Sequence, residues 1–229
     1  GDCPLGRVAM RRMAELYPDN FVGIALHVDQ SATWPDQMAY AEYSDALVSE
    51  YHIPGYPHSV TQRDRAYVSD PANIPDYVAA EVAQPITAAI DLKLSLSDDQ
   101  STITATTVSH FNADNEQSDY RIAFVILEDS VHHPDDRYYS QNNYYAGTSE
   151  DMGGFENLPA TVPADMMHYN DVARSLAGGI WGFDDALPAA VVAGKGSEYE
   201  VEMDIPATVD NIEQVSVVAM LLNTRTQLV

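Results

Sequence analysis

Apolar residues recur at helical spacing in the first third of the chain and at every second position further on. Leu5, Val8, Ala9, Met13 and Leu16 predict a one-sided helix, with Pro4 suited to its first turn and Pro18-Asp19-Asn20 stopping it. Phe21 to Val28 is a nearly continuous apolar run, the pattern of a strand covered on both faces and central in its sheet. A second helix is predicted over 35–51, with Pro35 near its first turn and Tyr40, Tyr43, Leu47 and Tyr51 along one stripe. It ends at Ile53-Pro54-Gly55. The stretch from His58 to Tyr67, broken by Arg63-Asp64-Arg65, is too polar for a central strand and predicts an edge hairpin. Ile74, Tyr77, Val78 and Val82 mark a third helix behind Pro71 and Pro75, closed at Gln84-Pro85.

Beyond Pro85 the period changes to two. Ile90, Leu92, Leu94 and Leu96 alternate with Asp91, Lys93 and Ser95; a polar turn over 97–101 leads into the β-branched run 102–108. Tyr120 to Leu127 reads as a buried strand. Tyr199, Val201, Met203 and Ile205 alternate with acids, and Val215 to Leu222 is a last apolar strand. Strands without intervening helices predict an antiparallel β-sandwich, Ig-like or jelly-roll in type. The fold expected is α+β in two domains: an α/β layer over 1–84 that lacks its first strand, and the sandwich over 85–229. Between the strands, 130–193 is long and irregular. Tyr138, Tyr139, Tyr144, Tyr145 and Trp181 in that region offer either a platform for a sugar or peptide or packing beneath the loops.

Composition changes the picture mainly through charge. Asp and Glu number 35 against 11 Lys and Arg, a formal net charge of -24. Such a surface repels phosphate backbones and anionic headgroups, so nucleic acid and anionic membrane surfaces are excluded as partners; it fits a solvated, exported protein. One cysteine permits no internal disulfide, and no stretch reaches the ~18 apolar residues of a membrane span. Gly1 reads as a processed or artificially defined end, with any signal segment upstream of it.

Chemistry is sparse. Cys3 stands at a helix entrance, where the helix dipole favours the thiolate. Pro57, in Gly55-Tyr56-Pro57, is a candidate for either a cis or an ordinary trans turn proline. The seven histidines show no metal-ligand spacing: His132 and His133 are adjacent and would point to opposite faces of a strand, so no metal is expected. Asp98-Asp99 and Asp114-Asn115-Glu116 lack the spacing of a calcium loop, and there is no Gly-x-Ser-x-Gly elbow. No cofactor is expected.

Cys3-Pro4 followed by Gly55-Tyr56-Pro57 resembles a thioredoxin-like site from its second cysteine onward. Gly1-Asp2-Cys3-Pro4, Tyr17 to His27, Gly55-Tyr56-Pro57 with Arg63 behind it, and His168-Tyr169-Asn170-Asp171-Val172-Ala173-Arg174 followed by Trp181-Gly182 together resemble one family. It is the outer-membrane-protein family nominally named for twenty-eight kilodaltons, whose members couple a thioredoxin-like domain to a β-sandwich in the Gram-negative envelope. By that resemblance Cys3 is similar to the second cysteine of a Trp-Cys-Gly-x-Cys-Pro motif, Pro57 to the cis-proline opposite it, and the α/β layer to an incomplete thioredoxin-like domain. The resemblance implies an exported protein, periplasmic, lipid-anchored or at the cell surface. Two functions stay open. One is a non-catalytic module binding a protein, peptide or glycan; the other is a thiol-disulfide oxidoreductase pairing Cys3 with an upstream cysteine.

Overall fold

The computed structural model describes residues 2–29, 33 and 35–229; Gly1, the first residue of the sequence motif, lies outside them. The protein is a mixed α+β chain with several antiparallel sheets, dividing into two compact units. One comprises 1–84 and 129–172, the other 85–128 and 173–229. The expected division into 1–84 and 85–229 therefore needs correcting for 129–172: this excursion leaves the second unit and packs into the first, where it supplies most of an apolar core.

In the first unit, α1 (Cys3–Leu16) forms where predicted, with Pro4, Val8, Ala9 and Met13 buried, whereas Leu16 at its end is 67% exposed. Ala9 and Met13 meet Ile74 and Val78 of α3 (Ile74–Val82) in one cluster, whereas Val8 joins Val131, Met152, Phe155, Val162, Met167 and Val172 in another. The helix thus uses two stripes for two cores. Phe21 to Val28 forms no regular strand. Single parallel bridges tie Ala25 to Val172 and His27 to Ala39, and Val22 is 64% exposed. Apolar composition alone did not supply a ladder partner on either side.

The second helix, α2 (Ala41–Tyr51), begins later than expected. Asp36 explains the delay: its Oδ1 accepts from the Met38 N–H and its carbonyl from the Ala39 N–H, a turn that delivers Ala39 to His27. The edge hairpin pairs β1 (Ser59–Val60) with β2 (Val68–Ser69), and a 3₁₀ turn over Arg65–Tyr67 lies between the strands. Within the hairpin tip, Arg63 turns inward and donates to the Tyr43 hydroxyl at 3.0 Å.

The second unit contains β3 (Ala88–Leu96), β4 (Thr102–Phe111) and β5 (Tyr120–Glu128). In the excursion of the first unit lie α4 (Asp136–Tyr139) and the pair β6 (Gln141–Asn142) and β7 (Thr161–Val162). The chain returns through β8 (Val172–Ala177) to β9 (Ser197–Asp204) and β10 (Val215–Asn223). Two three-stranded sheets result, ordered β10-β5-β8 and β3-β4-β9. Registers Val218↔Val125 and Ala105↔Val201 place β5 and β4 between their neighbours. Ile103, Ala105 and Met203 from one sheet and Ile122, Phe124 and Ile126 from the other share one apolar cluster. Period-two burial is clearest on β4, where every second residue is buried. Leu94 and Leu96 keep the period of β3 yet are exposed, because the cover ends before them.

A buried ion pair closes this unit. Arg174 on β8 donates Nε–H to Glu128 Oε2 at 2.7 Å; Glu128 Oε1 accepts the backbone N–H groups of Asp210 and Asn211 at 2.8 and 2.7 Å. Asp210 Oδ2 lies 3.6 Å from Arg174 Nη2.

Candidate functional site

The first turn of α1 meets the loop before β1. A Cβ on Gly6 would lie 3.7 Å from both Pro57 Cβ and Pro71 Cγ, ordinary van der Waals distance, so the first turn of the helix runs alongside those rings. The Tyr56–Pro57 peptide bond is cis. In front of this junction opens a pocket of about 340 Å³, lined by Asp2, Leu5, the loop from Pro54 to His58, Asp70 and Tyr145. Three distant segments converge there: the helix entrance, the 54–70 region and the excursion.

Cys3 is exposed at the start of α1, between Asp2 and Leu5 in sequence but not among the residues lining the pocket. Its thiol pKa is raised, and desolvation is the largest cause. The helix dipole alone predicts the opposite direction; the surrounding protein outweighs it. One turn along the helix, the Arg7 guanidinium sits 5.7 Å from the ring centres of both Phe155 and Tyr169, and desolvation lowers its pKa. Tyr169 donates its hydroxyl to the Tyr139 carbonyl at 2.9 Å, meets the His27 ring edge-on, and has its pKa raised by burial. His27 Nδ1 and Asp36 Oδ2 are 2.9 Å apart.

Within the first unit, the four tyrosines expected to form a platform differ in exposure. Tyr139 is buried, with His133 stacked on it; Tyr138 is partly buried and carries the Arg137 guanidinium over its ring. Tyr145 packs its ring against the core of the first unit, and Asn143, buried and donating to the Phe155 carbonyl, accepts the Tyr145 N–H. Tyr144 is 72% exposed. Trp181 belongs to the other unit. There Gly178 and Gly182, both at positive φ, lie against the Ile122 backbone, so these glycines serve close approach.

His132 and His133 face different partners, as their adjacency predicts: His132 stacks on His168 at 4.5 Å and His133 on Tyr139. Among the described residues no three His, Cys, Asp or Glu side chains are grouped to hold a metal ion, and no helix is long and apolar enough to cross a membrane. Sequence reasoning missed Asp2, His58, Asp70 and Arg7. Only Arg7 carried a signal, its spacing of four from Cys3 on one helix.

A family model for the outer membrane protein Omp28 matches residues 44–229. The chain belongs to the Omp28 family. It is an exported, envelope-associated protein. The match includes Gly55-Tyr56-Pro57 and His168 to Arg174, and begins after Cys3-Pro4 and the Tyr17 to His27 run. Among solved structures, the fold is similar to that of HBP35 of Porphyromonas gingivalis, at a TM-score of 0.60 and 13% identity, over 100% of this chain and 68% of that one. No curated protein matches the chain.

Proposed function

We propose that this Omp28-family chain is a non-catalytic binding module, built on a thioredoxin-like scaffold in the unit that carries α1 and a β-sandwich in the unit that carries β3 to β5. Its ligand is a protein, peptide or glycan segment of the envelope. The observation that carries the reading is the pocket at the Pro54 to His58 loop, lined by three separate segments of the first unit, with Cys3 not among the residues lining it. A ligand in this pocket is held by residues other than the cysteine, whereas attack on a disulfide needs the thiolate itself at the bound group. The sandwich reading rests on two three-stranded sheets sharing one core.

A second reading has its own support. The approach of Pro57 to the first turn of the Cys3 helix favours a thiol-disulfide oxidoreductase using Cys3 with an upstream cysteine. Insulin-disulfide reduction with dithiothreitol separates the two, run on this chain and on a version extended upstream. Turnover in the extended protein that is abolished by Cys3→Ser overturns the non-catalytic reading. Absence of turnover in both proteins upholds it.

A further inference from the structure

The sheet ordered β3-β4-β9 ends in two edge strands, and the two differ in what they can pair with. On β9 the outward positions are Glu198, Glu200, Glu202 and Asp204, all exposed. A second copy of β9 continuing the sheet there would set acid opposite acid, a device that keeps an edge unpaired.

The β3 edge is built differently. Its register with β4 is unbroken from Ala88↔Phe111 to Leu96↔Ile103. At its two ends the Asn112 N–H donates to the Thr87 carbonyl and the Ser97 N–H to the Thr102 carbonyl. Bonded pairs alternate along an antiparallel ladder, so the odd-numbered residues of β3 turn their backbone groups to β4. The N–H and C=O groups of Ala88, Ile90, Leu92, Leu94 and Leu96 therefore point to the free edge, where they have no backbone partner among the described residues. The same five side chains form the apolar face of the strand. Ile90 and Leu92 pack against the core of the sheets, whereas Leu94 and Leu96 are 43% and 46% exposed. On the opposite face Asp91 and Lys93 are exposed; the Asp91 side chain stays 81% exposed although its Oδ2 lies 3.4 Å from His110 Nε2.

Leu92 is the midpoint of this nine-residue strand. An antiparallel pair of β3 strands from two copies, centred on Leu92, opposes Asp91 of each copy to Lys93 of the other. It also opposes Ile90 to Leu94 and Ala88 to Leu96, so each exposed leucine gains an apolar neighbour on its own face. The outward-pointing backbone groups meet in phase. Sliding by two residues sets Lys93 or Asp91 against itself, and sliding by one puts the backbone groups out of phase. Lys93 alone would discourage any strand from docking; with Asp91 two positions away it selects one partner and one register.

We propose that the β3 edge is a homodimer seam, on which a second copy of this chain adds its own β3 across a two-fold axis at Leu92 and joins the two β3-β4-β9 sheets into one of six strands. The contact is isologous and closed, because each copy uses the edge it offers.

The test is sedimentation velocity over about 5–500 µM, a range suited to a small interface, at about 0.15 M salt. Mass is expected to rise with concentration from one chain to two and to stop there. Lys93→Asp sets Asp91 against a second acid on both sides of the axis, and is expected to weaken association at least about tenfold with thermal unfolding unchanged. Adding Asp91→Lys restores opposite charges across the seam and is expected to recover the dimer. Register is read from Cys3→Ser/Ser95→Cys carrying a nitroxide: Ser95 of one copy opposes Ala89 of the other, so at about 3.4 Å per residue the two labels lie about 20 Å apart, and a slip of two residues changes this by about 7 Å. A chain that stays monomeric throughout overturns the proposal, as does a dimer indifferent to Lys93→Asp or a label distance belonging to a slipped register. Mass that climbs past two chains overturns it too, since a closed pair leaves no β3 edge to continue from.

Discussion

Arg174→Met is the most discriminating perturbation of the second unit. Arg174 and Glu128 are 3% and 1% exposed, and their direct bond is 2.7 Å long. Removing the guanidinium leaves a buried carboxylate whose compensation is reduced to the N–H groups of Asp210 and Asn211. Breaking a buried pair at one partner costs about 3–5 kcal/mol, because the remaining charge stays desolvated. The two retained backbone bonds place the expected loss near the lower end, about 3 kcal/mol. Glu128→Gln keeps an oxygen for the two N–H groups and leaves the buried Arg174 charge only the longer pairing with the half-exposed Asp210, a loss of similar size. In the double variant neither charge remains, so its cost should fall short of the sum by about 2 kcal/mol. Urea unfolding followed by far-ultraviolet circular dichroism gives all three values, provided the slope with denaturant is unchanged. A loss below about 1 kcal/mol for Arg174→Met, or strict additivity in the double variant, would refute the claim that the pair is desolvated and coupled.

Three further outcomes are expected. Asp171 has its pKa raised to about 6, by burial first and then by the neighbouring Asp129. Its folded pKa exceeds the unfolded value near ~3.9, so the native state holds the proton longer, stability falls as pH rises from about 4 to 6, and the cost persists above. Asn tolerates the residue's φ of 57°. Asp171→Asn should therefore match the parent at pH 4 and exceed it by about 1 kcal/mol at pH 7 after solvent screening of a partly buried group; a melting-temperature difference that does not vary with pH would sink this. Phe124→Ala, at a side chain with no exposed surface in the shared core of the sheets, should cost about 3–5 kcal/mol in urea unfolding. Gly182→Ala would set a Cβ 2.9 Å from the Ile122 carbonyl carbon and oxygen at a φ of 79°, and should lower the melting point measurably; unchanged melting would mean that the turn is not pressed onto β5.

Local periodicity made α1, α3, the 88–111 hairpin and the strands at 120, 199 and 215 legible, because burial of one face writes a period into the chain. The run Phe21 to Val28 shows where that rule stops. An apolar run reports that a segment is dry but not which segment pairs with it, and the partner of Ala25 is Val172, far along the chain. The allocation of 129–172 to the first unit is hidden for the same reason. Nothing in composition changes at Asp129, and the decision is made by Val131, Met152, Phe155 and Val162 meeting Val8 across the fold.

The candidate site divides along the same line. Cys3 and Pro57 were visible as residue types whose chemistry or backbone is unusual, and α1 brings its first turn to Pro57 through Gly6. Asp2, Asp70 and Tyr145 are ordinary residues in three separate segments, each with a local explanation: a helix entrance, a cap on Ala72, a ring over a core. Only convergence gives them a joint meaning. The thiol's direction of shift makes the same point, since the helix entrance is a local feature and favours the thiolate, whereas desolvation is set by everything packed around it and prevails. The pocket is lined by the converging residues and not by the cysteine, and that is why binding at the pocket, more than attack by the cysteine, is the activity to test first.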